Sequence, residues 1–534
     1  MDVGESTCDA VVIGSGPNGL VAANALAEAG WDVIVLEAAD EVGGAVRSAE
    51  LIEPGFVTDL YSAFYPLAAA SPVIRGMDLQ RHGLGWVQAP AVVAHQLDDG
   101  RAAVIHRDPA ATAAALEQWA AGDGQAWLDM FAHWQRIRDD LLAALFTPFP
   151  PVAAGLGLFR RLKLAGALRL ARMAATPVRR LGEERFAGDG ARLLLTGNAL
   201  HTDIPVDAAG SGMFGWLLVM LGQDVGFPVP RGGAGMLAHA LRRRAESYGA
   251  QVRTGTRAAG VLVRGRRATG VRLADGSRIT ARRAVLADVT APALYRQLLA
   301  DVPLPASLRR DVENFHWDSA TLKVNWAVRA PVPWRAESSR RAGTVHLGVD
   351  LDGFVDFGAD LTAGRLPQRP FVLFGQMAVA DPSRAPAGAE TAWAYTHLPR
   401  RLASDPEAVQ TQVRRVQDAV ERAAPGFGEL VIGRHVQSPA DLQDNNANLS
   451  GGALNAGTSA LHQQLIFRPT PGLGRPETPV EGLYLASASA HPGGGVHGAC
   501  GWNAARSALR ASGRFGQVHR ALIRTVWDRV LAEH

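Results

Sequence analysis

The sequence contains very little cysteine and very little lysine. Its two cysteines, Cys8 and Cys500, lie far apart among 534 residues and form no CxxC pair. That spacing argues against a disulfide framework, a zinc site and a dithiol redox centre, and we predict no bound metal. The two lysines are Lys163 and Lys323, so almost all of the positive charge is arginine.

Other absences narrow the class of partner. The formal net charge is +3 and no long Lys/Arg block is present, which argues against nucleic acid. No run of about 18 apolar residues lacks charge or proline, and the first apolar run, residues 10–14, is too short for a signal peptide. We therefore predict a cytoplasmic protein and leave peripheral contact with the inner face of the cytoplasmic membrane open.

The N-terminus carries the strongest pattern. An apolar run predicts a buried strand, Gly14-Ser-Gly16-Pro-Asn-Gly19 follows at once, and an Ala/Leu-rich helix is predicted over residues 20–29. Gly14 suits a tight turn, Gly16 lets the backbone approach a pyrophosphate, and Gly19 lets helix and strand pack closely. Pro17 and Asn18 lie where the start of the helix would offer its free N–H groups to phosphate.

Glu37 completes this unit. It ends the second predicted strand, residues 33–36, where a carboxylate can accept hydrogen bonds from both ribose hydroxyls and repel a 2′-phosphate. The strand, the glycines, the helix and the acid together predict a dinucleotide site. The alternative is a glycine-rich turn with a purely structural role.

The residues after the second strand distinguish FAD from NAD. Gly43-Gly44-Ala-Val-Arg47 resembles the GG-x-x-R extension of the flavin amine oxidase and phytoene desaturase superfamily. The resemblance implies FAD, with both glycines passing the diphosphate and Arg47 beside it or under the flavin. The alternative is a loop with a surface arginine.

Two later segments resemble further parts of the same cofactor site. Residues 230–236 form a second glycine loop before a predicted helix, and short strands with an Asp-Gly turn follow to residue 287. Near the C-terminus, a strand is followed by Gly493-Gly494-Gly495-Val496 and another helix. A glycine loop brings bare backbone to a ligand, and the start of a helix stabilises the negative charge of a reduced flavin.

These segments, in this order, resemble the phytoene desaturase-like flavoproteins. The run from His491 to Val496, with Phe467-Arg468-Pro469 before it, is most like the pyridine nucleotide-disulphide oxidoreductase domain-containing protein 2 branch. The resemblance implies that the backbone of Val252 holds the adenine and that Tyr61 lies beneath the flavin ring. Ser487, Gly494 and Trp502 depart from the bacterial phytoene desaturase pattern, so carotenoid desaturation itself is not implied.

The resemblance also implies the fold class and the domain organisation. We expect an α/β protein with a Rossmann-type FAD-binding domain built from residues 1–80, 230–300 and 445–534. An inserted α+β substrate domain, or cap, would comprise residues 81–229 and 301–444.

Three residues are candidates for catalysis. Lys323 lies in an alternating run, residues 320–328, where flavin amine oxidases place a lysine that holds a water near flavin N5. The alternative is a lysine at a strand edge that points into solvent. His491 and His497 flank the C-terminal glycine loop, and either could act as acid or base or cap the loop.

The expected function is FAD-dependent hydride transfer, to or from flavin N5, on an apolar polyene or isoprenoid-like molecule. An amine oxidase and a non-catalytic flavin-binding scaffold are the alternatives. Only one GxGxxG, at residues 14–19, has a predicted strand before it, a helix after it and an acid at the expected distance, so electrons would leave to oxygen, a quinone or a carrier protein. Residues 141–181 mix apolar and basic side chains, which suits either a membrane-surface helix or a cap helix with a solvated basic face.

Overall fold

A computed structural model describes residues 6–472 and 474–532. The first of its two large sheets has a parallel centre, formed by Leu483–Leu485, Arg278–Ala287, Ser6–Ile13, Val33–Leu36 and Gln251–Arg253 in that spatial order. Two antiparallel strands, Arg267–Leu273 and Ala258–Arg264, extend it beyond Arg278–Ala287. Residues 10–13 and 33–36 of the central strands are buried on both faces, as their continuous apolar sequences predict.

Three helices pack side by side against this sheet. The helix Pro17–Glu28 begins with proline at its first position and packs between Gly235–Ser247 and Ala499–Ser512. The predicted strand at 33–36 has those bounds, whereas the helix predicted at residues 20–29 begins three residues earlier. The glycine loop before this helix is therefore shorter than the sequence pattern predicts, because Pro17 favours the first helical turn.

The second large sheet has seven strands. Their spatial order is Val431–Gln437, Ala320–Val328, Glu390–Leu398, Val372–Gln376, Ala342–Leu347, Ala91–Gln96 and Ala102–His106. All neighbours are antiparallel except Ala342–Leu347 and Ala91–Gln96. The amphipathic helix Pro406–Ala423 covers one face, and its valines pack on Trp326 and Phe374.

A group of helices rich in buried aromatic residues packs beside this sheet. Trp127, Trp134 and Trp216 are fully buried among them. The helices of the group are Pro109–Glu117, Asp123–Phe146, Val152–Ala175, Val178–Arg185, Asp189–Ala199 and Ser211–Val225. The remaining helices of seven or more residues are Ala306–Glu313, Leu351–Thr362, Pro439–Asn445 and Gly516–Val530.

The basic stretch at residues 141–181 is not one element. It covers the end of Asp123–Phe146, the helix Val152–Ala175 and the start of Val178–Arg185, because Pro150, Pro151 and Pro177 interrupt it. Within the described residues, no helix combines the length and apolar character needed to cross a bilayer.

Candidate flavin and substrate site

The glycines of the N-terminal loop are needed for close backbone approach. Gly14 has φ +94°, and a Cβ on Gly19 would fall 2.1 Å from the Gly14 carbonyl oxygen. A Cβ on Gly16 would fall 2.7 Å from Asp288 Oδ2, and one on Gly44 would fall 3.0 Å from Gly16 Cα. The loop at residues 14–19 and the loop at residues 43–44 therefore meet as bare backbone, which suits a diphosphate.

Glu37 organises this loop. One carboxylate oxygen accepts hydrogen bonds from Ser15 N at 2.9 Å and Ser15 Oγ at 2.6 Å, and the other accepts from Ala39 N at 2.9 Å. Val252 lies in the neighbouring strand, opposite Val35 in the parallel ladder. The ribose and adenine contacts expected for these two residues stay predictions.

Asp288 is a residue that the sequence analysis missed. It follows the strand Arg278–Ala287 directly, is 6% exposed, and accepts a hydrogen bond from Gly19 N at 2.8 Å. Burial raises the pKa of this carboxyl to about 7, and the charge of Glu37 adds to the effect. An acid directly after a buried parallel strand is the signal that could have identified it.

Arg47 and Tyr61 form one contact beside these loops. Arg47 Nη2 donates to Tyr61 Oη at 2.7 Å, and the guanidinium carbon lies 5.4 Å from the Tyr61 ring centroid. Arg47 Nε also donates to the Gly44 carbonyl at 3.2 Å. The arginine is thus held against the loop that contains Gly43 and Gly44 and is not a free surface side chain.

The C-terminal glycine loop is also crowded by its neighbours. A Cβ on Gly494 would fall 2.6 Å from Asn455 Oδ1, and one on Gly495 would fall 2.6 Å from Leu67 Cδ1. Gly493 and Gly495 have φ of +112° and +99°, a region that favours glycine. Val496 follows them, and Gly498 begins the helix Ala499–Ser512.

Both candidate histidines of this loop bind backbone. His497 Nδ1 accepts from Ala499 N at 3.0 Å, so its Nε2 is the nitrogen that donates to the Gly493 carbonyl at 3.2 Å. His491 Nε2 lies 3.1 Å from the Thr147 carbonyl. Burial lowers the pKa of each to about 4, which favours the loop-capping interpretation, while acid/base roles stay predictions.

Lys323 is buried, contrary to the solvent-facing alternative. It is 3% exposed, its strand lies second in the sheet, and its Nζ donates to the Asp59 carbonyl. Burial is the main cause that lowers the pKa of its ammonium to about 7; the charge of Asp59 opposes this shift and that of Arg384 adds to it. Arg384 in turn pairs with Asp59 at 2.8 Å, with both side chains fully buried.

A cavity of about 360 Å³ lies between the glycine loops and the second sheet. Its wall includes Asn18, Tyr61 and Gly494 on the side of the glycine loops and Lys323 on the second sheet. Asn18 Oδ1 is buried and has no hydrogen-bond partner among the described residues, as expected for an atom that meets a bound group. The bare loops, the unpartnered Asn18 oxygen and the adjoining cavity fit a flavin nucleotide.

The aromatic wall of the cavity was not predicted. Trp393 and Tyr395 alternate along Glu390–Leu398, and their rings are almost parallel, with centroids 6.1 Å apart. Gly375 lies under the Trp393 ring, where a Cβ would fall 2.3 Å from Cε2. The pairing of these strands, which the sequence alone does not specify, creates this wall.

The fold and the loops together define a flavin-dependent oxidoreductase. The chain belongs to the flavin-containing amine oxidoreductase family, whose sequence model matches residues 18–512. This match confirms the superfamily resemblance and the prediction of FAD as the cofactor.

Individual relatives agree with this assignment. Pyridine nucleotide-disulfide oxidoreductase domain-containing protein 2 of Rattus norvegicus is 29% identical, over 94% of this chain and 93% of its own length. The neurosporene-forming phytoene desaturase of Rhodobacter capsulatus is 24% identical, over 91% of both chains. The crystal structure of an oxidoreductase from Methanosarcina mazei has a TM-score of 0.64 at 15% identity, covering 94% of this chain and 99% of its own, which confirms the fold class.

Proposed function

We propose that this enzyme transfers hydride between flavin N5 and an apolar, polyene or isoprenoid-like molecule held in the cavity. The supporting observation is the wall of the cavity, where aliphatic and aromatic side chains predominate and no acidic residue occurs among the described lining residues. Phe214, Leu217 and Leu218 provide one side from a single face of the helix Ser211–Val225. Such a wall excludes water from an apolar substrate and orients it.

The protein would act mainly by binding and positioning. Arg47 and the glycine loops would hold the cofactor, and the second sheet would hold the substrate against it. Lys323 Nζ, fixed by the Asp59 carbonyl, is the wall group able to hold or move a proton near neutral pH. The electron acceptor would be oxygen, a quinone or a carrier protein.

Amine oxidation is less well supported. A cationic amine would meet Lys323 and no carboxylate on the described wall. Trp393 and Tyr395 lie 6.1 Å apart, centroid to centroid, which leaves no room for a substrate group between them at van der Waals contact of roughly 3.5 Å on each side. The gap between the two rings is therefore too narrow for an aromatic cage around a substrate group.

Anaerobic spectroscopy of the purified holoenzyme tests the proposal. The oxidised protein is mixed with the isoprenoid hydrocarbon myrcene, the polyene phytoene or geranylamine, and the dithionite-reduced protein is mixed with the same compounds. We expect a hydrocarbon either to bleach the oxidised flavin or to restore its colour from the reduced state. Turnover confined to the amine would contradict the proposal.

We also propose that residues 141–181 contact a membrane surface and admit an apolar substrate. The helix Val152–Ala175 has no buried residue, and Val152, Leu164 and Leu168 are 72%, 63% and 62% exposed. Arginines such as Arg160 and Arg169 accompany them, which suits anionic lipid. Flotation with phosphatidylglycerol vesicles tests this contact, and Leu164→Glu with Leu168→Glu should abolish it.

A further inference from the structure

Two histidines meet at the end of the cavity that is remote from Lys323. His201 follows the helix Asp189–Ala199, and its Nε2 lies 2.8 Å from Nε2 of His346 on the second sheet. A Cβ on Gly197 would fall 2.4 Å from His346 Nδ1, so this helix seals the far side of His346. His346 therefore lies behind the wall and fixes the orientation of His201 in front of it.

Two polar atoms at this end lack partners. His201 lines the cavity, and no hydrogen bond reaches its Nδ1 from the described residues. Thr344 also lines the cavity, is 1% exposed, and has an Oγ1 with no hydrogen-bond partner in the described chain. A buried polar atom such as the Thr344 oxygen is rarely left unpaired, so this oxygen, with the half-buried His201 Nδ1 on the same cavity wall, indicates a polar group on the ligand.

Strand register sets the distance from these atoms to Lys323. Lys323 pairs with Tyr395, Tyr395 with Leu373, and Leu373 with His346, so all four lie in one row on one face of the sheet. Three strand spacings separate the ends of the row, or about 14 Å. Thr344 lies on the same face as His346, two positions earlier in its strand.

We propose that the substrate is an elongated apolar molecule with an oxygen-bearing group about 14 Å from its reacting end, and that His201 and Thr344 bind this oxygen. The inference rests on the proposed function, because it takes the Lys323 end as the site of reaction. A hydroxyl group fits best, since it can both donate and accept and so matches either tautomer of His201.

The charge of the site favours a neutral group. Burial lowers the pKa of His201 to about 3, and that of His346 well below its ordinary value, so both imidazoles are uncharged at neutral pH. A carboxylate would therefore lose its hydration without gaining a cation at this end. An alcohol or a similar neutral oxygen avoids that cost.

Binding of 1-decanol and n-decane to the flavin-loaded protein tests the inference. Headspace gas chromatography measures how much of each probe the protein withdraws from the vapour, and it requires no flavin reduction. The readout is the ratio of the association constants, alcohol to alkane. Comparing this ratio between variants cancels the difference in hydrophobicity between the probes.

We expect His201→Phe to lower the ratio about tenfold and Thr344→Val about threefold, because each removes a partner of the hydroxyl. Phe227→Leu, which alters an apolar neighbour of His201 in the same wall, should leave the ratio unchanged. Thr344→Val is nearly isosteric, so it keeps the test informative if His201→Phe does not fold.

Three results would overturn the inference. The first is an unchanged ratio in both His201→Phe and Thr344→Val. The second is a loss in Lys323→Met as large as in His201→Phe, which would place the alcohol at the lysine. The third is failure of the wild-type holoenzyme to bind either probe. None of them decides the anaerobic flavin experiment, so failure of this inference and failure of the proposed function remain distinguishable.

Discussion

The cofactor end and the substrate end of the site present different kinds of surface. Around Gly16 and Gly44 the surface is bare main chain, set by glycines whose Cβ positions are already occupied by neighbours. Along the second sheet the surface is formed by side chains, with Lys323, Tyr395 and Leu373 in one row across neighbouring strands. The cofactor end therefore depends on the absence of side chains, and the substrate end depends on which strands are paired.

The largest effect is expected from filling the bare end. Gly16→Val places a branched side chain where a single Cβ already lies 2.7 Å from Asp288 Oδ2, so we expect flavin content to fall at least about tenfold. The ratio of visible to ultraviolet absorbance measures this content. Gly155→Val is the control, because nothing lies within 4 Å of a Cβ there. A yellow Gly16→Val protein with normal flavin content would refute the assignment.

A smaller effect is expected at the side-chain end. Lys323→Met should keep FAD but slow flavin reoxidation by oxygen roughly tenfold, if the lysine holds or moves a proton there. Stopped-flow absorbance measures the rate. The matched control is Lys163→Met, which changes the other lysine on the exposed helix Val152–Ala175. Equal reoxidation rates in wild type and Lys323→Met would remove the lysine from the mechanism.

The same variant has a stability signature with a defined sign. Because the folded pKa of Lys323 is about 7, below its ordinary 10.5, the unfolded chain binds more protons between these values and wild-type stability rises with pH there. Lys323→Met lacks this dependence. Its melting temperature should exceed that of wild type by about 2–5 °C at pH 7 and approach it at pH 10. A gap that does not narrow would contradict the burial of a titrating lysine.

The smallest effect is expected from a single side chain that packs against the glycine loops at the cofactor end. Asp288 is the carboxyl beside the bare loops, with a pKa raised to about 7, so its negative charge appears as pH rises through that value. Because the charge would repel an anionic cofactor, FAD affinity of the deflavinated protein should fall roughly threefold to tenfold between pH 6 and pH 8.5. Asp288→Asn should remove this slope.

Fluorescence titration with FAD measures that affinity at each pH. Asp275→Asn, in an exposed hairpin turn, is the control and should keep the wild-type slope. A slope that persists in Asp288→Asn would assign the dependence to another group.

The cofactor end could be predicted from the sequence because its residues lie close together in the chain. Gly14, Gly16, Gly19 and Glu37 act within one short stretch of chain, so their spacing predicts the strand, the loop and the helix that follow. The strand at residues 320–328 could likewise be predicted, because its alternating pattern is local.

The wall opposite the flavin loops could not be predicted in this way. Tyr395 reaches Lys323 only through the pairing of two strands about 70 residues apart, and His201 reaches His346 from a separate helix. Asp288 has a local signal, because it directly follows a buried strand, but its contact with Gly16 depends on the strand order. A single sequence does not report such register.

The position of Leu373 in the row across the second sheet has a consequence for how this scaffold could diversify. It stands in the row between Tyr395 and His346, and its side chain lines the cavity. A bulkier residue there would narrow the cavity at this position, and a smaller one would widen it. Related enzymes could therefore change the length of molecule they accept by altering one side chain, without disturbing the nucleotide-binding loops.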